Sequence, residues 1–318
     1  MKISKFLPFV LFATLISPAY AENNTCPPQA HVPSIDEVKE ALKHNQDRGF
    51  LWKITKDGHS SWLYGTIHIA KENWMMPGPT VLNAISKSVA VGVELDILNP
   101  ENIKALQAPA NTETQKWLDE KGLQKKIEDE ELKFCTPTAQ VKDMPLAARV
   151  TRMTASVGKW EGYYPDYGID LVLLGFAKST MRQIIELEDA ATQRTILAGH
   201  DKKQTAQKIE NYLNEIANGK ALSTTKELAA VWEKSDLPGL EKFAAECDKT
   251  ELCKATNVEI GERNNAMAKK LDDIHVGGTS IFTGVGFLHM VGPKGLPELM
   301  KKRGYTVEQI LPSSKASL

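Results

Sequence analysis

Two histidines stand in the same short pattern near opposite ends of the chain. His68 follows Gly65, and His289 follows Gly286, each three residues after its glycine. Each G-x-x-H pattern comes after an apolar stretch and before a Gly-Pro-x-x-Leu sequence, at 78–82 in the first copy and at 292–296 in the second. Two copies of one pattern in matching surroundings predict that the two imidazoles belong to one site.

The apolar segment 89–95 contains Glu94 near its end, and Asp96 follows it. A charge at the end of a buried strand is costly unless it is paired or binds a metal. Two imidazoles and one carboxylate form a common ligand set for a catalytic divalent ion with an open coordination position. We therefore predict that His68, His289 and Glu94 converge. The alternatives are a solvated strand end for Glu94 and a hydrogen-bonded loop position for each histidine.

Four further polar residues are candidates for supporting roles. Asp170 begins an apolar helix, where it is either a site residue or a helix cap. Glu188 follows a short strand candidate at 183–187. Arg263 and Asn264 stand in a long helix, where an ion pair or a solvated face is the alternative interpretation. The sequence contains no G-x-S-x-G, H-E-x-x-H, P-loop or G-x-G-x-x-G motif, so the mechanisms that use these motifs lose support.

The elements that must position these residues form two similar halves, each predicted as strand, G-x-x-H, loop, helix and strand. Asp57-Gly58 predicts a hairpin in the first half, and the centre of the chain, about 99–278, is mainly helical. We expect an α/β (α+β) fold whose halves form a central sheet, with the helical centre as an insertion. Open α/β sheets bind ligands at the carboxyl ends of their strands. The expected strands and helices of the two halves lie at 50–55, 61–64, 80–88, 89–95, 280–284, 297–303 and 305–311.

Composition and the first residues indicate an exported globular protein. The chain has 318 residues with 39 Lys and Arg against 40 Asp and Glu, so it has no basic excess for nucleic-acid binding. Lys2, Lys5, the apolar run 6–16 and Ala-Tyr-Ala at 19–21 form a signal-peptide pattern. We expect a periplasmic or secreted protein with no membrane span after cleavage. The expected boundaries are a signal peptide at 1–21, a tail at 22–46, one domain at 47–312 and a tail at 313–318.

Four cysteines remain after the expected cleavage, and an even number in an exported chain suggests disulfides. Cys247 and Cys253 flank a short polar stretch between two helical patterns, so a bond between them would clip that junction. Cys26 and Cys135 would then tie the N-terminal tail to the middle of the chain. We predict these two pairs, with free buried thiols as the alternative.

These residues resemble the TraB/GumN family, which includes the Tiki proteases. The resemblance covers roughly residues 47–312. It rests on Tyr64-Gly65-Thr66-Ile67-His68, Val93-Glu94-Leu95-Asp96, Gly168-Ile169-Asp170, Leu187-Glu188-Asp189 with Gln193, Glu262-Arg263-Asn264, and the segment 284–296. In the second G-x-x-H element, Phe287 and Leu288 stand where a smaller sequence, Gly-Ala-Gly-His-Leu, is more usual, so this loop is bulkier.

The resemblance implies a metal-dependent hydrolase, with manganese or cobalt as the metal, zinc as a further possibility, and a peptide or protein as substrate. We expect His68 and His289 to be metal ligands, Glu94 to be the third ligand or the general base, and Arg263 to stabilise the oxyanion. Two alternatives stay open: a metal-free esterase in which a histidine activates water, and a non-catalytic protein that binds haem or a metal through the histidines. Supporting roles are expected for Gly65, Gly286, Asp170, Glu188 and Asn264.

Overall fold

A six-stranded mixed sheet joins the two ends of the chain, as the repeated halves predict. The computed structural model of the protein describes residues 26–107, 111–199, 201–247, 249 and 251–312, so the predicted signal peptide and the tail 313–318 lie outside the described residues. The strands lie in the order β4-β3-β5-β2-β1-β6. They are β1 (Phe50–Lys56), β2 (His59–Thr66), β3 (Ala90–Val93), β4 (Gln183–Glu186), β5 (Ile281–Gly286) and β6 (Thr306–Ile310).

The register of the sheet brings the carboxyl ends of three strands to one edge. β2 runs parallel to β5 with Thr66 opposite Gly286, and β3 runs parallel to β5 with Val93 opposite Gly284. Only β1 runs the other way, because it joins β2 through the predicted hairpin. Asp57 and Gly58 both have positive φ, 53° and 80°, as a tight hairpin turn requires.

Helices cover both faces of the sheet and fill the centre of the chain, so the predicted mixed α/β fold is confirmed. Within the described residues they are α1 (Ile35–Lys43), α2 (Pro79–Ser86), α3 (Pro100–Leu106), α4 (Thr112–Glu120), α5 (Leu123–Lys133), α6 (Thr138–Val141), α7 (Leu146–Ser156), α8 (Ile169–Ser179), α9 (Ala190–Ala198), α10 (Lys202–Ala217), α11 (Lys220–Glu233), α12 (Leu237–Cys247), α13 (Glu251–Val276) and α14 (Leu296–Lys302). Short 3-10 turns lie at Glu72–Trp74, Lys159–Glu161, Pro165–Tyr167 and Phe287–Met290. None of the helices described is both long and apolar enough to cross a membrane.

The core consists of one large apolar cluster against the sheet, a smaller one among the inserted helices, and a third, small one between β3 and α8. Trp74, Trp232, Phe50 and Phe282 are the largest fully buried side chains of the first cluster. The second lies between α4, α5, α7 and α10. Beside it, Arg149 and Glu131 form a buried ion pair. The insertion therefore has a small core of its own.

Both predicted disulfides are present. Cys26 and Cys135 are joined with their Cα atoms 5.4 Å apart, and Cys247 and Cys253 with theirs 5.1 Å apart. The first bond ties the N-terminal segment to the insertion, and the second joins the end of α12 to the start of α13. Two disulfides are typical of a protein that folds in an oxidising compartment.

Two histidines, His59 and His275, hold the β1–β2 hairpin against α13. They lie at the end of the sheet opposite the G-x-x-H loops. His275 is fully buried, and its ring stacks on His59 at 3.7 Å between centroids. Its Nε2–H donates to the Lys56 carbonyl, and its Nδ1 accepts from the Ser61 hydroxyl at 3.0 Å. His275 is therefore a neutral hydrogen-bonded part of the core.

Candidate active site

Three chemically active side chains meet at the edge where β2, β5 and β3 end. His68 follows β2 by two residues, Glu94 follows β3 directly, and His289 lies in the 3-10 turn after β5. A Cβ atom added at Gly286 would lie 3.4 Å from Glu94 Oε1, 3.4 Å from His68 Nε2 and 3.6 Å from His289 Cδ2. The three groups therefore surround one point, and the absence of a side chain at Gly286 keeps that space open.

Asp170 fixes the ring of His68. The first turn of α8 is held against the β2 exit loop because the Ile169 amide donates to the Ile67 carbonyl at 2.9 Å. This contact places Asp170 Oδ2 2.7 Å from His68 Nδ1, and the Thr66 hydroxyl donates to the other carboxylate oxygen. Because a carboxylate only accepts, Nδ1 carries the proton and Nε2 faces the site. Asp170 thus acts on His68 in addition to lying in the first turn of its helix.

Asn264 fixes the ring of His289 in the same way but without a charge. Its amide nitrogen donates to the carbonyls of His289 and Lys294, at 3.2 and 2.8 Å, so its oxygen faces His289 Nδ1 at 2.6 Å. The Nδ1 atom therefore donates, and the unprotonated Nε2 lies 3.7 Å from Glu94 Oε1. The two histidines present the same nitrogen, Nε2, to the site.

Glu94 is held by a network of charge-assisted hydrogen bonds. Its Oε1 accepts from the Gly286 amide at 2.8 Å, and its Oε2 accepts from Arg263 Nη2 at 2.6 Å. Arg263 also donates to both oxygens of Glu188, at 2.7 and 2.8 Å. Gln193 bridges the two carboxylates, at 3.2 Å to Glu94 and 2.5 Å to Glu188. The network fixes the Glu94 carboxylate in one orientation.

The surroundings give the three groups different proton affinities. The negative charge of Asp170, together with its hydrogen bond, raises the pKa of His68 to about 9. Burial lowers the pKa of His289, against the charge of Glu94. Burial would raise the pKa of Glu94, but His289, His68, Arg263 and the Gly286 amide together lower that pKa to about 2. In the protein without a metal, Glu94 is therefore ionised and His289 is neutral near pH 7.

The donor atoms suit a divalent metal ion. Both Nδ1 atoms are engaged with an oxygen, which is how metal-binding histidines are usually oriented, and both Nε2 atoms and Glu94 Oε1 are directed at the same space. No three histidine, cysteine or acidic side chains in the parts of the chain described here already stand as a complete ligand group. The fit therefore rests on the type and direction of the donor atoms.

Not every candidate lies at the site. Asp96 turns away and pairs with Lys178 at 3.1 Å, while its amide donates to Glu186 at 2.9 Å. β3 consequently ends at Val93, earlier than the strand predicted over 89–95. The bulky residues of the second element do not fill the site, because Phe287 stacks on Phe50 at 6.1 Å. Gly65, at the other histidine, leaves room for this packing, since a Cβ there would be 3.0 Å from the Phe287 Cβ.

Two contributing residues were not assigned a role from the sequence. Thr66 donates to Asp170, and Gln193 joins Glu94 to Glu188. Gln193 lies in the first turn of α9, close behind Glu188, and this proximity was the one available signal. Thr66 occupies the first x of the G-x-x-H pattern, a position at which the pattern specifies no residue type.

Comparison with known proteins gives one family. The sequence model of the TraB/PrgY/gumN family matches residues 50–309. This range runs from the first residue of β1 almost to the end of β6 and contains every residue of the site. No curated protein and no solved structure matches the chain.

Proposed function

The chain belongs to the TraB/PrgY/gumN family, and we propose that it is an exported metal-dependent hydrolase that cleaves peptide bonds. The observation that carries the proposal is the convergence of His68 Nε2, Glu94 Oε1 and the His289 ring around Gly286. The predicted signal peptide and the two disulfides support export. The family resemblance supports a peptide or protein as substrate.

The two histidine Nε2 atoms and Glu94 Oε1 are the atoms that would hold the ion, with manganese, cobalt or zinc as candidates. A divalent ion at such a donor set supplies Lewis acidity, which polarises a carbonyl and lowers the pKa of water. Asp170 and Asn264 keep the Nδ1 protons in place, so that neither ring can turn its Nε2 away from the site. With a pKa of about 9, His68 carries a proton on both ring nitrogens near pH 7, and an ion would take the place of the proton on Nε2 while Nδ1–H stays bonded to Asp170.

Glu94 either contributes an oxygen to the ion or takes the proton of the attacking water. Both roles need an ionised carboxylate in a fixed orientation, which the Gly286 amide and Arg263 provide. Substrate approaches from the side of His68, because that side chain is 69% exposed whereas the His289 side chain is 5% exposed.

The contacts of Arg263 support a positioning role more than direct stabilisation of an oxyanion. Its Nε and Nη2 atoms are already engaged with Glu188 and Glu94, and the side chain is 14% exposed. We propose that Arg263 acts through Glu94, whose charge and orientation it maintains. Glu188 accepts hydrogen bonds from the Nε and Nη2 atoms of Arg263 and so helps to hold the guanidinium beside Glu94.

One observation favours a second candidate, a metal-free hydrolase. His289 is buried and neutral, and its Nε2 is unprotonated beside Glu94. A neutral imidazole with its tautomer fixed is able to accept a proton from water directly. The two candidates differ in whether chelation removes activity.

The test uses the mature protein and a peptide library read by mass spectrometry. We expect activity that is lost on chelation and restored by one of Mn²⁺, Co²⁺ or Zn²⁺. The variants His68→Ala, His289→Ala and Glu94→Gln should each lose most activity, and a double variant should be little worse than a single one. His44→Ala, at an exposed histidine, is the matched control.

Two outcomes would decide against the proposal. If chelated wild type keeps full activity, the metal-free hydrolase takes its place. If no peptide or ester is cleaved with any metal, the non-catalytic binding protein becomes the better description. Circular dichroism of every variant separates loss of activity from loss of folding.

A further inference from the structure

A large cleft lies behind the turn that carries His289. Its volume is about 1120 Å³, larger than most small-molecule sites. Its floor is the face of β1 and β6, where Trp52 stands opposite Gln309. α12 and α13 form one wall, and the segment from Leu288 to Lys301 forms the other. The lining contains none of His68, Glu94 and His289, so the cleft is distinct from the candidate active site.

The lining suits an apolar chain better than a peptide. Its floor and walls are mainly aliphatic and aromatic side chains, including Trp52, Val258 and Val307. The two asparagines in the wall are already engaged: Asn257 donates to the Ala244 carbonyl, and Asn264 donates to those of His289 and Lys294. A hydrocarbon chain can lie against these apolar side chains without any hydrogen-bond partner, whereas a buried peptide backbone would need each donor and acceptor to be matched.

Positively charged side chains outnumber negatively charged ones in the lining of the cleft. Three lysines and two glutamates line it, and Lys301 pairs with Glu298 at 2.6 Å. Apart from this pair, the cleft contains two lysines, Lys254 and Lys294, and one glutamate, Glu241. Neither lysine has an ion-pair partner in the described part of the chain. The whole protein, by contrast, has a formal net charge of −1.

The side chain of Lys294 crosses α13 at Gly261, where the helix has no side chain in its way. Gly261 lies in the middle of α13, where glycine is unfavourable. A Cβ at that position would lie 2.7 Å from Lys294 Cδ, so the missing side chain makes room for the lysine stem. Asn264, one turn further along the same face, binds the Lys294 carbonyl. Lys254 lies two turns before Gly261 on α13, so Lys254 and Lys294 line the cleft from its two walls.

We propose that this cleft binds an anionic amphiphile, a hydrocarbon chain that ends in a carboxylate. The chain lies over Trp52 and Val307, and the carboxylate pairs with Lys254 and Lys294. This site is separate from the proposed hydrolysis. Of the residues assigned to that reaction, only Asn264 also lines the cleft.

The experiment is a calorimetric titration of the mature protein with dodecanoate and with dodecyltrimethylammonium, which has the same chain and the opposite charge. We expect saturable one-to-one binding of dodecanoate that is about tenfold or more tighter than binding of the cation. Lys254→Gln/Lys294→Gln should weaken dodecanoate binding by about tenfold, whereas the control Lys104→Gln/Lys242→Gln, at exposed lysines outside the cleft, should change it by less than about twofold.

A third variant tests the position of the Lys294 side chain without removing its charge. Gly261→Ala should displace the Lys294 stem and weaken dodecanoate binding without lowering thermal stability, since alanine favours the helix. The proposal is overturned if neither amphiphile binds, if both bind equally well, or if the cleft lysine variant behaves like its control.

Discussion

At the scale of single residues, Asp170 and Asn264 bind the same nitrogen of two histidines but differ in charge. Asp170→Asn keeps a hydrogen-bond acceptor beside His68 and removes the negative charge. We expect the pKa of His68 in chelated protein to fall from about 9 toward its usual 6.5, because the charge of Asp170 is the main cause of the increase. The measurement is an NMR titration of the His68 ring.

Activity of Asp170→Asn should fall by about ten- to a hundredfold, as for other residues that orient a metal ligand. Asn264→Asp is the reciprocal variant and should raise the pKa of His289. An unchanged His68 titration in Asp170→Asn would contradict the assigned contact.

Arg263→Lys tests the positioning role of the guanidinium. A lysine has a single nitrogen and cannot reproduce the two-nitrogen fork that joins Glu188 and Glu94, so the pKa of Glu94 should rise from about 2. The acid limb of the kcat/KM profile should then move to higher pH, with a loss of about ten- to a hundredfold near pH 7. Arg152→Lys, at an exposed arginine, is the control. A profile that only scales down without moving would favour direct oxyanion stabilisation instead.

The sequence identifies the two histidines through a repeated pattern, but it assigns no role to Thr66 and Gln193, whose contributions depend on proximity in the fold. His68 and His289 are visible because each stands at the same place in two copies of one unit. Gln193 reaches Glu94 across 99 positions of the chain, and its residue type occurs on many solvated helices. Asp96 resembles Glu94 in the sequence, but the turn after β3 directs it to Lys178.

At the scale of elements, the contact between the β1–β2 hairpin and α13 depends on a neutral His275. Burial lowers the pKa of His275; Lys56 and His59 also lower it through their charges, while Asp57 and the hydrogen bond to the Lys56 carbonyl oppose the shift. As the pH falls through 6.5, the unfolded chain therefore takes up this proton before the folded protein does. The free energy of unfolding should therefore decrease in that window.

The comparison of wild type with His275→Gln isolates this effect. Urea unfolding at pH 7.5 and at pH 5.5 should show a smaller decrease in the variant, because the other titrating groups are common to both proteins. A decrease as large as that of wild type would show that other groups cause the acid sensitivity.

Strand and helix positions were largely predictable, because they depend on local periodicity and turn residues. The strand expected at 50–55, the helix expected at 297–303 and the Asp57-Gly58 hairpin are examples. The strand order was not, since it depends on which distant segments pair. The expected tail at 22–46 also contains α1, which begins at a Ser34–Glu37 capping box and was missed because the helix is short.

At the scale of the whole molecule, the two disulfides should differ in their effect on stability. They close segments of 109 and 6 residues. The chain-entropy model gives a loss of about 5 kcal/mol for Cys26→Ser/Cys135→Ser and about 2 kcal/mol for Cys247→Ser/Cys253→Ser. Unfolding in urea without reductant measures both. Equal losses would mean that effects in the folded state outweigh restriction of the unfolded chain.

The site is assembled only when β2 pairs with β5. The two strands join positions 220 residues apart, and each supplies one of the two histidines. During synthesis His68 is made long before His289, so a growing or truncated chain holds half of the site whatever helices it has formed. The candidate site is completed only after β5 and the turn that follows it have been made, and a chain with the proposed activity stays inert until β2 and β5 have paired.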